Sequence, residues 1–394
     1  MESLPGGAAL GLGGAGVSED GLRFRGRLAL QQRTLPAYRA AFFDLLGEAC
    51  EGGLSVFAGA PRLEEAIVTT DRLEVARFSP ARNLHFARVG SPFYLCWQFG
   101  LLAWLQAFQP DALILEANPR NLSSRLGASW MRQRGKPVLG WGLGVPVSGD
   151  RLGQVRHRGR ERFLSQFDGV IAYSRQGAEQ YRLAGFPAER VFVATNAVSP
   201  PAHKPPPERP SAFGERPSIL FVGRLQARKR IDLLLHACAG LPEDIQPRLV
   251  VVGEGPEREA FQALAAQIYP HVEFPGTRHG AELEPYFAQA DLFVLPGTGG
   301  LAVQQAMAYG LPVIAAEGDG TQADLVRSGN GWQVQPGNLA SLQSALREAL
   351  ADPARLRRMG AESYRIVKEE VNIQAMVAAF VEALHVVSSS AFVR

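Results

Sequence analysis

Short apolar runs recur along the chain with helix-like stretches between them, and this alternation limits the fold more than any other feature. A strand, a helix and a further strand pack most readily as a parallel pair covered by the helix. Repeated units therefore build parallel sheets with helices on both faces. Leu28–Gln32, Leu54–Ala58, Ala112–Glu116, Pro137–Trp141, Val170–Tyr173 and Val191–Ala194 read as strands, with helices at Tyr38–Cys50 and Gln98–Phe108. The pattern stops at Ser199–Pro210, SPPAHKPPPERP, where prolines fix φ and remove backbone donors, giving a stiff extended connector. It restarts at Ser218–Val222 and runs through Leu249–Val252, Leu292–Leu295 and Pro312–Ala315, with helices at Arg230–Ala239, Glu257–Gln267 and Gln304–Tyr309. The expectation is an α/β chain of two doubly wound domains, for which 394 residues suffice. A disordered tail is expected at 1–24, a first domain at 25–198, a connector at 199–215 and a second domain at 216–371.

Composition narrows the partners. With 41 basic and 38 acidic side chains the net charge is +3, too small to mark a nucleic-acid protein. It leaves anionic ligands and an anionic membrane surface open. The three cysteines, Cys50, Cys96 and Cys238, are far apart and odd in number, so they read as reduced core residues. Residues 1–20 lack the charged start and apolar run of a signal peptide. Pro92–Phe108 is the nearest approach to a membrane span, but it is short and interrupted by two glutamines. It reads as a buried helix, with a membrane-facing helix as the second reading. The basic run Arg151–Arg162 reads as a solvated face, with a phospholipid or lipid-diphosphate site as the lesser reading.

Ligands of doubly wound sheets sit at the carboxyl ends of strands, which directs attention to three loops. Gly223–Lys229, GRLQARK, offers Arg224 and Lys229, a planar fork and a compact ammonium suited to a diphosphate. A solvated loop is the alternative. Gly253–Pro256, GEGP, makes either a strand-to-helix turn or a close backbone approach. Gly297, Thr298, Gly299 and Gly300 lead into a short helix whose first amides are free to meet an anion; turn and phosphate cradle are equally open there.

In this order the three loops resemble the donor domain of family 4 glycosyltransferases over roughly Ser218–Leu384. The match rests on GRLQARK, on VGEG, on ADLFVLP at Ala290–Pro296, and on GLAVQQAMAYGLPV at Gly300–Val313. The first half is similar in strand order, in Ala172–Ser174 and in Asn196. The resemblance implies a GT-B architecture, two Rossmann-like domains facing a cleft, with a helix at 372–394 crossing back to the first domain. It implies a nucleotide-sugar donor, a UDP- or GDP-sugar, held by Gly223, Gly253, Gly276, Thr277, Arg278, Gly297, Thr298, Gly299, Gly300, Leu301, Ala302, Gln305 and Asp319. Arg224 and Lys229 would grip its diphosphate. No Asp-x-Asp sits in a strand-end loop, so transfer is expected to need neither metal nor cofactor; retention of the anomeric configuration is what the resemblance implies.

Departures from the family are specific. Its two glutamates at the entry and first turn of the helix within the Gly300–Val313 motif are here Gly297 and Gln305. Gln305 can still hydrogen-bond a ribose; Gly297 cannot supply a carboxylate, a task left to Glu317 or Asp319 unless these are solvated loop residues. The glycine-rich first loop is replaced by LALQQRTLPAYRAAFF, and GWGLGVP at Gly140–Pro146 lacks the family histidine. His85, His157, His203 and His279 read as exposed.

On the acceptor side, Arg33, Tyr38 and Arg39 flank the first strand-to-helix turn; they read as an anion or sugar contact or as a solvated helix start. Glu116, Asn118, Arg120 and Asn121 form a second cluster. There Glu116 is a candidate general base or acceptor-hydroxyl partner, and a structural cap is the alternative. The leading expectation is transfer of a sugar to a glycan or lipid-linked acceptor, in the cytoplasm or at the inner face of the membrane with peripheral contact. A non-catalytic partner subunit and a nucleotide-sugar epimerase are the alternatives.

Overall fold

The structure is a computed structural model describing residues 23–65, 67–88, 91, 93–145, 159, 161–318 and 320–391. Residues 1–22 of the expected tail, Arg151–Arg158 of the basic run with His157, and Asp319 lie outside the described residues.

Two sheets form. The first holds β1 (Leu28–Thr34), β2 (Leu54–Gly59), β3 (Arg77–Phe86), β4 (Leu95–Phe99), β5 (Ala112–Glu116), β6 (Val138–Gly142), β7 (Gly169–Ala172) and β8 (Val191–Val193). Their order is β4-β3-β2-β1-β5-β6-β7-β8. The second holds β9 (Ser218–Val222), β10 (Arg248–Val252), β11 (Val272–Gly276), β12 (Leu292–Leu295), β13 (Val313–Ala316) and β14 (Gly331–Val334), ordered β11-β10-β9-β12-β13-β14. Neighbouring strands are parallel except β3 and β4. Central strands such as β12 and β13 are buried along their whole length, as unbroken Val, Ile and Leu runs between helical layers should be.

Both sheets reverse direction of winding once, between β1 and β5 and between β9 and β12. A crevice opens at the carboxyl ends of such a pair, and these two crevices face the site described below.

The last helix, Ile373–Ala391, returns to the first sheet. Phe380 meets Phe42 and Trp141 edge-on at 5.1 and 5.0 Å. At the helix start, the Ile373 amide donates to the Ser199 carbonyl at 3.0 Å, so the chain's two passages between sheets lie side by side. The proline-rich stretch between them is anchored by Arg209, which donates to the carbonyls of Ala290, Phe287 and Tyr309 at 2.8, 2.8 and 2.9 Å. Burial of this cation pulls its pKa down to about 10.

Two expectations are corrected. Pro92–Phe108 is not one buried helix, and the helix read at Gln98–Phe108 is shorter. Leu95–Phe99 is strand β4, and Gly100, at φ 90°, turns the chain into the helix Leu101–Phe108. The left-handed conformation suits glycine and separates the two elements. Strands β3, β11 and β14 escape a periodicity reading because they carry Pro80, Pro275 or polar side chains near a sheet edge, where partly exposed surface permits both.

Candidate functional site

At the β9/β12 crevice, the three sequence loops interlock through their backbones. The Gly223 amide donates to Val252 O at 3.0 Å, Leu225 to Glu254 O at 2.8 Å, and Gly253 to Gly276 O at 2.9 Å. Gly253, at φ 142°, lies so close to Gly223 that a Cβ would fall on the Gly223 carbonyl oxygen. Gly276 is followed by exposed Thr277 and by Arg278, whose Nη1 donates to Thr277 O at 2.8 Å. An ion pair between Glu254 and Arg258 stands beside Gly276.

Lys229 reaches across this crevice. Its Nζ donates to Thr298 O at 2.6 Å, while Thr298 N donates to Arg228 O at 3.2 Å and Arg228 Nη1 to Thr298 Oγ1 at 3.1 Å. Burial, and then the neighbouring Arg228 charge, lower the Lys229 pKa to about 8. Gly299, at φ 139°, abuts the ammonium; a Cβ there would overlap Nζ. Gly300 then opens the helix Leu301–Ala308 with no capping side chain, leaving the first-turn amides of Leu301 and Ala302 without a helical acceptor. An ammonium and a helix amino terminus thus converge on one small volume, both attractive to an anion. Arg224 is exposed at the head of the same loop.

Gly297 packs where no side chain fits: a Cβ would fall on the Arg228 carbonyl and lie 2.6 Å from Lys229 Cα. The helix begins at Leu301, three residues before the sequence reading, so Gln305 is half-buried in its second turn. Glu317 is exposed beyond β13.

At the β1/β5 crevice, Glu116 Oε2 accepts from Arg33 N at 3.0 Å and from Asn121 Nδ2 at 2.8 Å. Asn118 Oδ1 accepts from Arg120 N at 3.1 Å, a local turn. Glu116, Asn118, Arg120, Trp141, Tyr173 and Gln176 line a cavity of about 580 Å³, to which the second sheet's loops contribute Gly318. Arg33 does not line it; its guanidinium grips Glu65 at 2.8 and 2.6 Å. Burial opposes the arginine's charge, but the pairing with Glu65 wins and raises its pKa. Arg39 is not a solvated charge. It is 6% exposed, its guanidinium lies 4.7 Å from the Trp141 ring, and Nη2 donates to Asn196 Oδ1 at 3.1 Å while Nη1 has no hydrogen-bond partner among the described residues. Tyr38 is exposed. His203 and His279 are exposed, whereas His85 is half-buried and bonded to the Tyr94 hydroxyl at 2.8 Å.

Sequence reasoning passed over the residues that join the two halves. Gln304 is buried; its Oε1 accepts from Val198 N at 3.1 Å and its Nε2 donates to Asn196 O at 2.5 Å. Asp324, 4% exposed, accepts from Arg175 N at 2.9 Å. Arg175 opens the helix Arg175–Leu183, whose own cap, Ser174, takes Gly177 N, so Asp324 completes from the other domain the capping of that helix. The sequence signal was only an Asp beside the apolar pair Leu325–Val326 in TQADLV; its burial shows in the structure. Burial raises the Asp324 pKa, outweighing the Arg175 amide, so the ionised form costs stability as pH rises through the raised value. Asp324→Ala should loosen the interdomain contact by about 1–2 kcal/mol, seen as a larger radius of gyration in small-angle scattering. Asp324→Asn, which keeps the acceptor, should stay compact and lose the pH dependence.

Two doubly wound domains with crevices set face to face define the GT-B class. Solved structures agree on the fold: sucrose-phosphate synthase from Thermosynechococcus elongatus superposes with a TM-score of 0.66 at 20% identity, covering 93% of this chain and 100% of that one. Anabaena HepE in complex with UDP gives 0.64 at 17% identity, covering 91% and 99%. Residues 207–366 match the family model for glycosyl transferases group 1, and residues 44–197 match the glycosyl transferase 4-like domain. The chain belongs to the group 1, or family 4, glycosyltransferases. The GDP-mannose-dependent alpha-(1-6)-phosphatidylinositol monomannoside mannosyltransferase of Mycolicibacterium smegmatis is 27% identical over 276 residues, 65% of this chain and 69% of the relative. A sulfoquinovosyl transferase of Arabidopsis thaliana is 35% identical over 145 residues, but that match spans only 27% of its length and 35% of this chain. A GDP-mannose-dependent alpha-mannosyltransferase of Mycobacterium tuberculosis is 31% identical over 243 residues, 58% of this chain and 61% of the relative.

Proposed function

We propose that this chain transfers a hexose from a nucleotide-diphosphate sugar to a glycan or lipid-linked acceptor, with retention and without metal or cofactor. Residues 25–198 take the acceptor, 199–215 connect, 216–371 take the donor, and 372–394 cross back. The observation that carries the reading is the desolvated Lys229 ammonium fixed on Thr298 O beside the uncapped start of Leu301–Ala308. Lys229, Arg224 and the amides of Gly299–Ala302 stabilise the leaving diphosphate, the charge that grows in the transition state. The loops at Gly253, Gly276–Arg278 and Gln305 seat the nucleoside, with Asp319 near the sugar. In the facing cavity Glu116, oriented by Arg33 N and Asn121, holds the acceptor hydroxyl, and positioning supplies much of the rate. Asn118 and Arg120 line its rim, and the protein works in the cytoplasm with peripheral membrane contact.

A thermal-shift screen with UDP, GDP, ADP and dTDP tests the donor assignment. One nucleotide should stabilise the native protein selectively, and Arg224→Ala with Lys229→Ala should abolish the shift; a flat response to all four would sink the assignment. GDP and GDP-mannose come first, because relatives are named for that donor. A second reading, a donor-binding subunit without turnover, is favoured by Gly297, where backbone fills the space a carboxylate would need. Donor binding without nucleotide release across an acceptor panel would select it.

A further inference from the structure

The β3–β4 hairpin extends the first sheet with one uncovered face. Cross-strand pairs Arg82 with Phe99, Leu84 with Trp97 and Phe86 with Leu95 set these side chains together. Cys96 and Gln98, on the alternate positions of β4, are buried, so the pairs stand on the outer face. Leu84, Phe86 and Phe99 are exposed there, Trp97 meets Phe99 edge-on at 6.4 Å, and the Arg82 guanidinium lies 5.9 Å above the Phe99 ring. Phe93, just before β4, is 79% exposed. No Asp or Glu occurs from Val75 to Pro110. Arg77, Arg82 and Arg88 are exposed and make no ion pair among the described residues.

We propose that this face docks the protein on an anionic lipid bilayer. Aromatic and aliphatic side chains at the height of the headgroups bury apolar area, and flanking arginines meet lipid phosphates. A second copy is disfavoured by charge: an isologous contact would set these arginines against each other with no carboxylate between. Because β3 runs parallel to β2, Phe86, Arg88 and Phe93 lie towards the same carboxyl end of the sheet as Glu116. The docked protein therefore turns its acceptor crevice towards the lipid. Only that last step rests on the transfer reading; docking does not.

The test is co-sedimentation of the full chain with vesicles of phosphatidylcholine alone and of equal parts phosphatidylcholine and phosphatidylglycerol. Binding should require phosphatidylglycerol and weaken with added NaCl. Phe93→Ser, and separately Arg82→Glu with Arg88→Glu, should each reduce it about tenfold or more. Their unfolding temperatures and nucleotide-induced shifts should match the native protein, which separates this outcome from failure of the donor site. Equal partition onto both vesicles, or none onto either, overturns the proposal. So does a dimer in sedimentation velocity that Phe93→Ser abolishes.

Discussion

Placing glutamate at position 297, the residue the family resemblance leads one to want there, should damage the protein rather than awaken it. The Gly297 backbone is pressed against Arg228 and Lys229, and a Cβ has nowhere to go but into the Arg228 carbonyl. Either the Gly223–Lys229 loop or the segment leading to Leu301 must move, at a cost of about 1–3 kcal/mol for overpacking. Such a shift also pulls Thr298 O away from Lys229 Nζ and disperses the anion site. Gly297→Glu should therefore lower the unfolding temperature and weaken nucleotide binding about 30-fold or more. Gly297→Ala should do nearly as much, because the clash begins at Cβ. Differential scanning fluorimetry and calorimetric titration read the two effects. Native-like stability with enhanced transfer by Gly297→Glu would show that the loop yields freely and that the missing carboxylate, not packing, sets the activity.

Lys229→Met should cost donor affinity about 2 kcal/mol, roughly 30-fold, the usual worth of a lost charge-assisted contact. The native lysine adds a pH signature that a structural role would not. Its pKa in the folded protein is lowered from 10.5 to about 8, so the cation is destabilised by folding. Between pH 8 and 10.5 the unfolded chain binds the extra proton, and this residue's contribution to stability rises with pH. Donor affinity moves the other way: it is retained below about pH 8 and falls above it as the ammonium that meets the diphosphate is lost. Opposite slopes for stability and affinity, both flattened in Lys229→Met, are the expected result of titrations with the tightest-binding nucleotide. Parallel slopes would remove Lys229 from the donor site.

How much of this was legible in the sequence follows from the range of each interaction. β5 was read to the residue at Ala112–Glu116, and β9 at Ser218–Val222, because each carries an unbroken buried apolar run, Ala112–Leu115 in one and Ile219–Phe221 in the other, that leaves little else to be. β3 was invisible because RFSPARNLHF becomes a strand only through its partners β2 and β4. Family likeness drew attention to Gln305, whereas the buried neighbour Gln304 makes the bonds to Asn196 and Val198, more than a hundred residues away in the chain. Gly297 was legible as a lost carboxylate but not as a contact with Arg228, since a motif records residue type and not what presses on it. Arg33 and Arg39 read as an anion or sugar contact or as a solvated helix start; the partners that turn them inward, Glu65 for one and Trp141 and Asn196 for the other, sit in segments no local pattern links to them.

The closing helix has a consequence for biosynthesis. Phe42 and Trp141 are translated well before the ring that covers them, Phe380, which follows more than two hundred residues later in the chain. The first sheet therefore leaves the ribosome with part of its core bare and must wait for the second sheet and Phe380 before that face is sealed. The second sheet, whose strands are contiguous in sequence from Ser218 to Val334, can condense in the meantime. Folding should thus finish on the first sheet, and a ribosome that stalls between Val334 and Phe380 releases a nascent protein needing a chaperone at its Phe42 and Trp141 surface.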